Sequence, residues 1–206
     1  MDSRQNTDPV GSLGQKLEIS KEEVNLLPLW EYQGKIELLE HESSFNEAAE
    51  RMREAARIGI DTETRPAFRK GQSYPVALLQ LALADIVYLV RLNRHGLPTG
   101  FREVLENPNI QKVGIAQKDD VRELKRDFGC QPEGILDLNI ICRDLGYKSI
   151  GARKLAALIL GKRISKSQQT TNWERPELSR RQMVYAATDA WICREIYERL
   201  HPGCDG

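Results

Sequence analysis

Apolar and polar positions recur along this chain at two periods, and the change from one to the other divides it into elements. Ile58-Gly-Ile60 running into Asp61-Thr-Glu63 predicts a strand. Val76–Leu83 is a near-continuous apolar run of strand length. Ala84-Asp85 separates it from the β-branched run Ile86–Val90, so the two predict a hairpin. Lys112–Ala116 predicts another strand, followed by helical spacing from about Asp119 to Phe128 with Gly129 as its stop. Helical spacing also covers 135–145 and 153–160, closed by Gly146 and Gly161. Ser44 with Glu47 predicts a capping box opening a helix that runs to about Arg57, and a short helix is expected over 99–106. Ser179 with Gln182 opens a last helix reaching about Leu200, after a polar stretch, 161–176, that predicts a loop. Consecutive strands, then helices with one further strand, predict an α/β protein whose central β-sheet is flanked by α-helices.

Residues 1–17, rich in Asp, Ser, Gln, Asn and Gly, read as a disordered lead, and 18–40, with Trp30 and Tyr32, as an arm that packs on the domain. The expected organisation is an N-terminal tail and packing arm over 1–40 and a folded domain over 41–206. Thirty Lys and Arg balance thirty Asp and Glu in 206 residues, so the formal charge is zero. That balance excludes a diffuse polycation and leaves room for a local basic face. Cys130, Cys142, Cys193 and Cys204 form no CxxC pair for zinc, and Cys142 and Cys193 lie among apolar neighbours as small hydrophobes. The first thirty residues lack the apolar core of a signal peptide, and no run approaches the ~18–20 apolar residues that span a bilayer. The expectation is a soluble protein of a reducing compartment, cytoplasmic or nuclear, not secreted and without a membrane partner.

The acids in apolar surroundings carry the chemistry. In a strand, Asp61 and Glu63 share one face, about 6–7 Å apart at Cα. Two carboxylates so placed repel unless a cation lies between them, and a divalent metal answers that need; a polar strand end facing solvent is the plainer alternative. Tyr185 and Asp189, at i and i+4 of the last helix, share a face among Val184, Ala186, Ala187 and Ala190. A buried Tyr–Asp hydrogen-bonded pair is the alternative account of these two residues. At the start of the helix after the third strand stand Asp119 and Asp120. Either serves as a first-turn acid, and spacing alone does not choose between them.

Together these segments resemble the three exonuclease motifs of the DEDD 3′–5′ exonucleases, tyrosine subclass, the family of the Werner-syndrome helicase exonuclease domain and ribonuclease D. The carriers are Asp61-Thr-Glu63, the Val113–Leu124 segment and Tyr185-x-x-x-Asp189, over about residues 44–200. Val76-Ala-Leu-Leu-Gln-Leu81, Ser165-Lys-Ser-Gln168 and Trp173-x-Arg175-Pro-x-Leu178 add context. The family pattern sets its second acid four residues before a Leu and eight before a Phe, which Leu124 and Phe128 translate to Asp120. Val184 stands where the histidine subclass would carry His. The resemblance implies a ribonuclease H-like fold and a hydrolase releasing nucleoside 5′-monophosphates from a free 3′ end. It implies two divalent cations, Mg²⁺ or Mn²⁺, and no organic cofactor. Asp61 would bridge both ions, Glu63 and Asp189 would complete the site of the one that activates water, and Asp120 would hold the other. Tyr185 would orient that water.

The nucleic-acid partner is expected to be DNA ahead of RNA, because the chain ends soon after the last motif without the helical domains that follow it in ribonuclease D. A ribonuclease D-like RNA-processing enzyme and a catalytically silent binding or adaptor domain are the alternatives. Residues 143–182 carry ten Lys and Arg against three Asp and Glu, a basic stretch suited to phosphates. Arg65, just past Glu63, and Lys166 are the expected backbone contacts, with Gly71 and Tyr74 as further groove residues. Trp173 is expected to be structural rather than a base-stacking residue.

Overall fold

The computed structural model describes residues 16–69 and 71–202. Residues 1–15 of the lead expected over 1–17, and Cys204, therefore lie outside the described residues, whereas the Leu17 carbonyl accepts from the Lys148 N–H at 2.9 Å. In chain order the elements are α1 (Lys21–Leu26), β1 (Lys35–Leu39), α2 (Glu42–Arg53), β2 (Arg57–Thr64), β3 (Val76–Ala82) and β4 (Ile86–Val90). Then come α3 (Leu92–His95), α4 (Thr99–Glu106), β5 (Gln111–Gly114), α5 (Lys118–Phe128) and β6 (Ile135–Asp137). α6 (Leu138–Asp144), α7 (Ala152–Leu160) and α8 (Arg180–Leu200) complete the chain. The six strands form one sheet in the order β1-β4-β3-β2-β5-β6. β3 runs antiparallel to both its neighbours, and the remaining pairings are parallel. The sheet is mixed and carries helices on both faces, as expected of the fold class.

β3 and β4 are buried along their whole lengths, which is why they read as continuous apolar runs rather than alternating ones. β2 does alternate. Ile58 and Ile60 enter a core with Met52 of α2, Leu79 and Leu81 of β3, and Phe101 and Val104 of α4. Gly59, between them, faces α8 instead. On that second face Leu78 and Ala82 of β3 meet Ala186, Ala187 and Ala190 of α8, with Trp173 packed alongside. Full burial of each large aliphatic side chain contributes roughly 1.5–3 kcal/mol, so both faces stabilise the sheet.

Several elements differ from the sequence expectation. The helix expected from Ser44 to about Arg57 begins at Glu42 and ends at Arg53. Ser44 is its third residue, and the Ser44 hydroxyl meets the backbone N–H of His41 at 3.4 Å. Residues 135–137, expected as helix, form β6, paired in parallel with β5 from Lys112↔Ile135 to Gly114↔Asp137. Three residues are too few for a period to show, and pairing with β5 overrides the helical spacing that continues in α6. Residues 35–39, expected within the packing arm, form β1 and pair with β4 along their length. The remaining arm residues make α1, which packs on α7. α5 ends as expected at Gly129, which takes the left-handed conformation with φ 65° and returns its N–H to the Lys125 carbonyl.

Candidate active site

The site begins with a residue that has no side chain. A Cβ on Gly59 would lie 2.1 Å from the Ala190 carbonyl oxygen and 3.2 Å from the Ala82 Cβ. Glycine here, with the small side chains of Ala186, Ala187 and Ala190, lets α8 approach β2 at backbone distance. Two residues further along the same face of β2 stands Asp61, and two beyond that Glu63. Asp189, next to Ala190, is thereby brought over them. One carboxylate oxygen from each of Asp61, Glu63 and Asp189 lies within 4.8 Å of the others. Tyr185, one turn earlier on α8, is hydrogen-bonded to the Asp189 carboxylate and packs against Trp173 at 6.1 Å between ring centroids.

Asp120 enters from α5. Its Oδ1 accepts a hydrogen bond from the Thr62 hydroxyl, between the two β2 acids, and its charge is felt at both Asp61 and Glu63. Asp119 faces solvent and pairs with Arg122 at 2.8 Å. The turn ahead of α5 sets this rotation. Ala116 adopts φ 60°, a conformation that costs an L-residue roughly 1–2 kcal/mol. The Asp137 carboxylate accepts from the Ala116 N–H at 3.1 Å and the Gln117 N–H at 2.9 Å, holding the turn closed.

Burial, and then mutual repulsion, push the Asp61 and Glu63 carboxyls upward: Asp61 rises far above the ordinary carboxylate range and Glu63 to about 9. Burial also raises Asp189 to about 7, opposed by its bond to Tyr185 and by the Lys166 charge, and raises Asp120 to about 6, opposed by the Thr62 hydroxyl. Four acids that cannot all ionise unaided are matched by a hard multivalent cation, for which carboxylate oxygens are the suitable donors. The carboxylate oxygens of Asp61, Glu63 and Asp189 converge closely enough to hold one such ion.

The acids open into a cleft of about 440 Å³. Of the basic stretch expected to serve phosphates, Arg153, Lys154 and Lys166 line this cleft, joined by Lys21 of α1. Arg65 meets Glu174 at 3.2 Å, lies 4.6 Å over the Tyr74 ring, and is not among the residues lining the cleft. Gly71 and Tyr74 are likewise not among the lining residues. Trp173 is fully buried, as a structural residue should be, and offers no face to a base. Lys21 and Thr62 carried no signal in the sequence. The first depends on a helix-on-helix contact, and the second on a bond that only the folded α5 completes. Cys130, Cys142 and Cys193 are buried free thiols. Among the described residues no helix is long and apolar enough to cross a membrane.

Residues 36–204 match the family model described as 3′-5′ exonuclease. The chain is 36 % identical over 134 residues to exonuclease 3′-5′ domain-containing protein 2 of Drosophila melanogaster, covering 63 % of this chain and 23 % of that protein. It is 30 % identical over 149 residues to the bifunctional 3′-5′ exonuclease/ATP-dependent helicase WRN of Mus musculus, covering 69 % of this chain and 11 % of that protein. It thus spans about a quarter or less of the length of these two relatives. Among solved structures, Escherichia coli RNase D, an exoribonuclease involved in structured RNA processing, superposes with a TM-score of 0.68 at 23 % identity. That likeness covers 80 % of this chain and 45 % of that one, and bears on the fold, which is ribonuclease H-like.

Proposed function

The chain belongs to the 3′–5′ exonuclease family, of the DEDD type, and from that premise we propose that it removes nucleoside 5′-monophosphates one at a time from a free 3′ end of nucleic acid. Asp61, Glu63, Asp120 and Asp189 are the residues that would hold two divalent cations, Mg²⁺ or Mn²⁺. Bound there, the cations would supply Lewis-acid stabilisation of the attacking and leaving oxygens in an in-line phosphoryl displacement. The observation that supports this reading most directly is the convergence of the Asp61, Glu63 and Asp189 carboxylate oxygens within 4.8 Å, in a cleft whose other lining includes four basic side chains.

The protein's own groups divide the remaining work. Lys166, near enough to Asp189 for its charge to act there, would hold the scissile phosphate toward the acids. Tyr185 would orient the attacking water. Burial, Asp189 and Glu63 raise its hydroxyl above the ordinary tyrosine value, which suits it to hydrogen bonding rather than to taking the proton. Arg65 belongs to this proposal as a contact at the edge of the site, after release from Glu174. The proposed organisation keeps residues 41–206 as the catalytic unit, with strand β1 added from the preceding segment. DNA, the substrate class expected first, and RNA are both carried into the test of this proposal.

Purified protein should shorten a 5′-labelled strand in Mg²⁺ or Mn²⁺ and stop in EDTA. Asp61→Ala should abolish that activity and Tyr185→Phe should reduce it greatly. Wild-type activity in Asp61→Ala would show the assignment to be wrong. The same sequence offered as single-stranded DNA, recessed duplex and RNA decides the substrate.

A further inference from the structure

The cleft has a wall that lies outside the residues matched to the family model. α1 (Lys21–Leu26) precedes residue 36, where that match begins, yet Lys21 and Val24 line the cleft together with the site acids. This short helix is fixed rather than loosely appended. Ser20 and Glu23 close a capping box, with Ser20 N–H to Glu23 at 2.9 Å and Glu23 N–H to the Ser20 hydroxyl at 3.1 Å. Val24 is 3 % exposed and packs with Ile19 against Ala157 of α7. Backbone bonds tie both flanks to the segment bearing α7: Lys148 N–H to the Leu17 carbonyl at 2.9 Å, Trp30 N–H to the Arg163 carbonyl at 2.8 Å, and Arg163 N–H to the Pro28 carbonyl at 3.1 Å. The Arg153 guanidinium meets Asn25 at 3.2 Å, joining the second cation of the cleft to the helix carrying the first.

The charges on α1 are sorted by this arrangement. Glu23 is engaged by Lys16 and the cap, and neither it nor Glu22 lines the cleft. Lys21 does, with no acid paired to it among the described salt bridges. Lys166 is the cation whose charge reaches Asp189, whereas Lys21 stands on a helix packed against α7. Resting on the proposed nuclease function, we propose that α1 is a built wall of the substrate cleft and that Lys21 holds a backbone phosphate on the 5′ side of the scissile one. The ligand is a single nucleic-acid strand, recognised through its phosphates and without regard to base.

The test compares Lys21→Ala with wild type on a decathymidylate and on a thymidine dinucleotide, whose only internucleotide phosphate is the scissile one. Expected for the decamer is a several-fold rise in KM with kcat unchanged; for the dinucleotide, no change in either. Binding of the fluorescent decamer, with Ca²⁺ replacing Mg²⁺, should lose roughly 0.7 from the slope of log affinity against log salt between about 50 and 200 mM KCl. Lys21→Arg should restore the wild-type values, and Lys35→Ala, on the edge strand away from the cleft, should match wild type throughout. Equal salt slopes and equal KM for Lys21→Ala and wild type, with wild type active, would overturn the role of Lys21 alone. A wild-type protein that neither binds nor shortens either substrate would overturn the nuclease reading and this inference with it.

Discussion

Substitution of Gly59 by alanine tests the packing that assembles the site. The new Cβ would stand 2.1 Å from the Ala190 carbonyl oxygen. An ordinary nonbonded carbon contact is about 3.5 Å, so α8 must retreat from β2 by roughly 1 Å or more. The obstacle is backbone in the interior of a 21-residue helix, and no side-chain rotation relieves it. Overpacking of this kind costs about 1–3 kcal/mol, which urea denaturation would measure. Because Asp189 is the residue before Ala190, the same retreat opens the carboxylate cluster. Misplacement of catalytic groups by about 1 Å costs on the order of 10²-fold in rate. Mn²⁺ binding, followed by titration calorimetry, should weaken in parallel. Ile60→Val is the control: it removes a methyl from the opposite face of the same strand and should cost about 0.5–1.5 kcal/mol, with metal binding and exonuclease rate intact. A Gly59→Ala protein with wild-type Mn²⁺ affinity, rate and stability would refute the argument that backbone contact between β2 and α8 sets the site.

Metal-free protein in EDTA should lose thermal stability as pH rises from about 5 to 9. Glu63, Asp189 and Asp120 have folded-state values of about 9, 7 and 6. Above the ordinary carboxylate value near ~4 the folded state therefore holds more protons than the unfolded chain, and each extra proton is given up as pH passes the folded value. Mn²⁺ should flatten that fall and Asp189→Asn should reduce it; a midpoint independent of pH in EDTA would contradict the burial of these acids. Lys112→Met should cost about 1–3 kcal/mol in urea unfolding, because the fully buried ammonium donates to the Asn107 carbonyl at 2.6 Å and the Val104 carbonyl at 3.3 Å, closing the end of α4. Trp173→Ala should cost about 3–5 kcal/mol as a fully buried aromatic. Trp173→Leu, which keeps an apolar side chain but removes the ring, should leave KM for single-stranded substrate unchanged, which a base-stacking role would not allow.

The sequence alone determined what depends on neighbours along the chain. A strand places Asp61 and Glu63 on one face, a helix places Tyr185 over Asp189, and Ser179 with Gln182 opens α8, because each relation is fixed by a spacing of two, four or three residues along the chain. Those relations, joined to the order of the motifs, carried the family. What required the tertiary structure are relations between distant segments. β6 exists because β5 offers it an edge, and β1 because β4 does. The turn at Ala116 points Asp120 inward and leaves Asp119 to Arg122. Arg65 and Lys166 look alike as basic residues near motifs, yet Glu174 holds one while the other reaches the cleft. Lys21 joins the cleft only through the seat of α1 on α7. Local geometry follows from backbone sterics and is repeated wherever the pattern recurs. Which cation faces the acids is decided by packing among residues far apart in sequence, and no period records it.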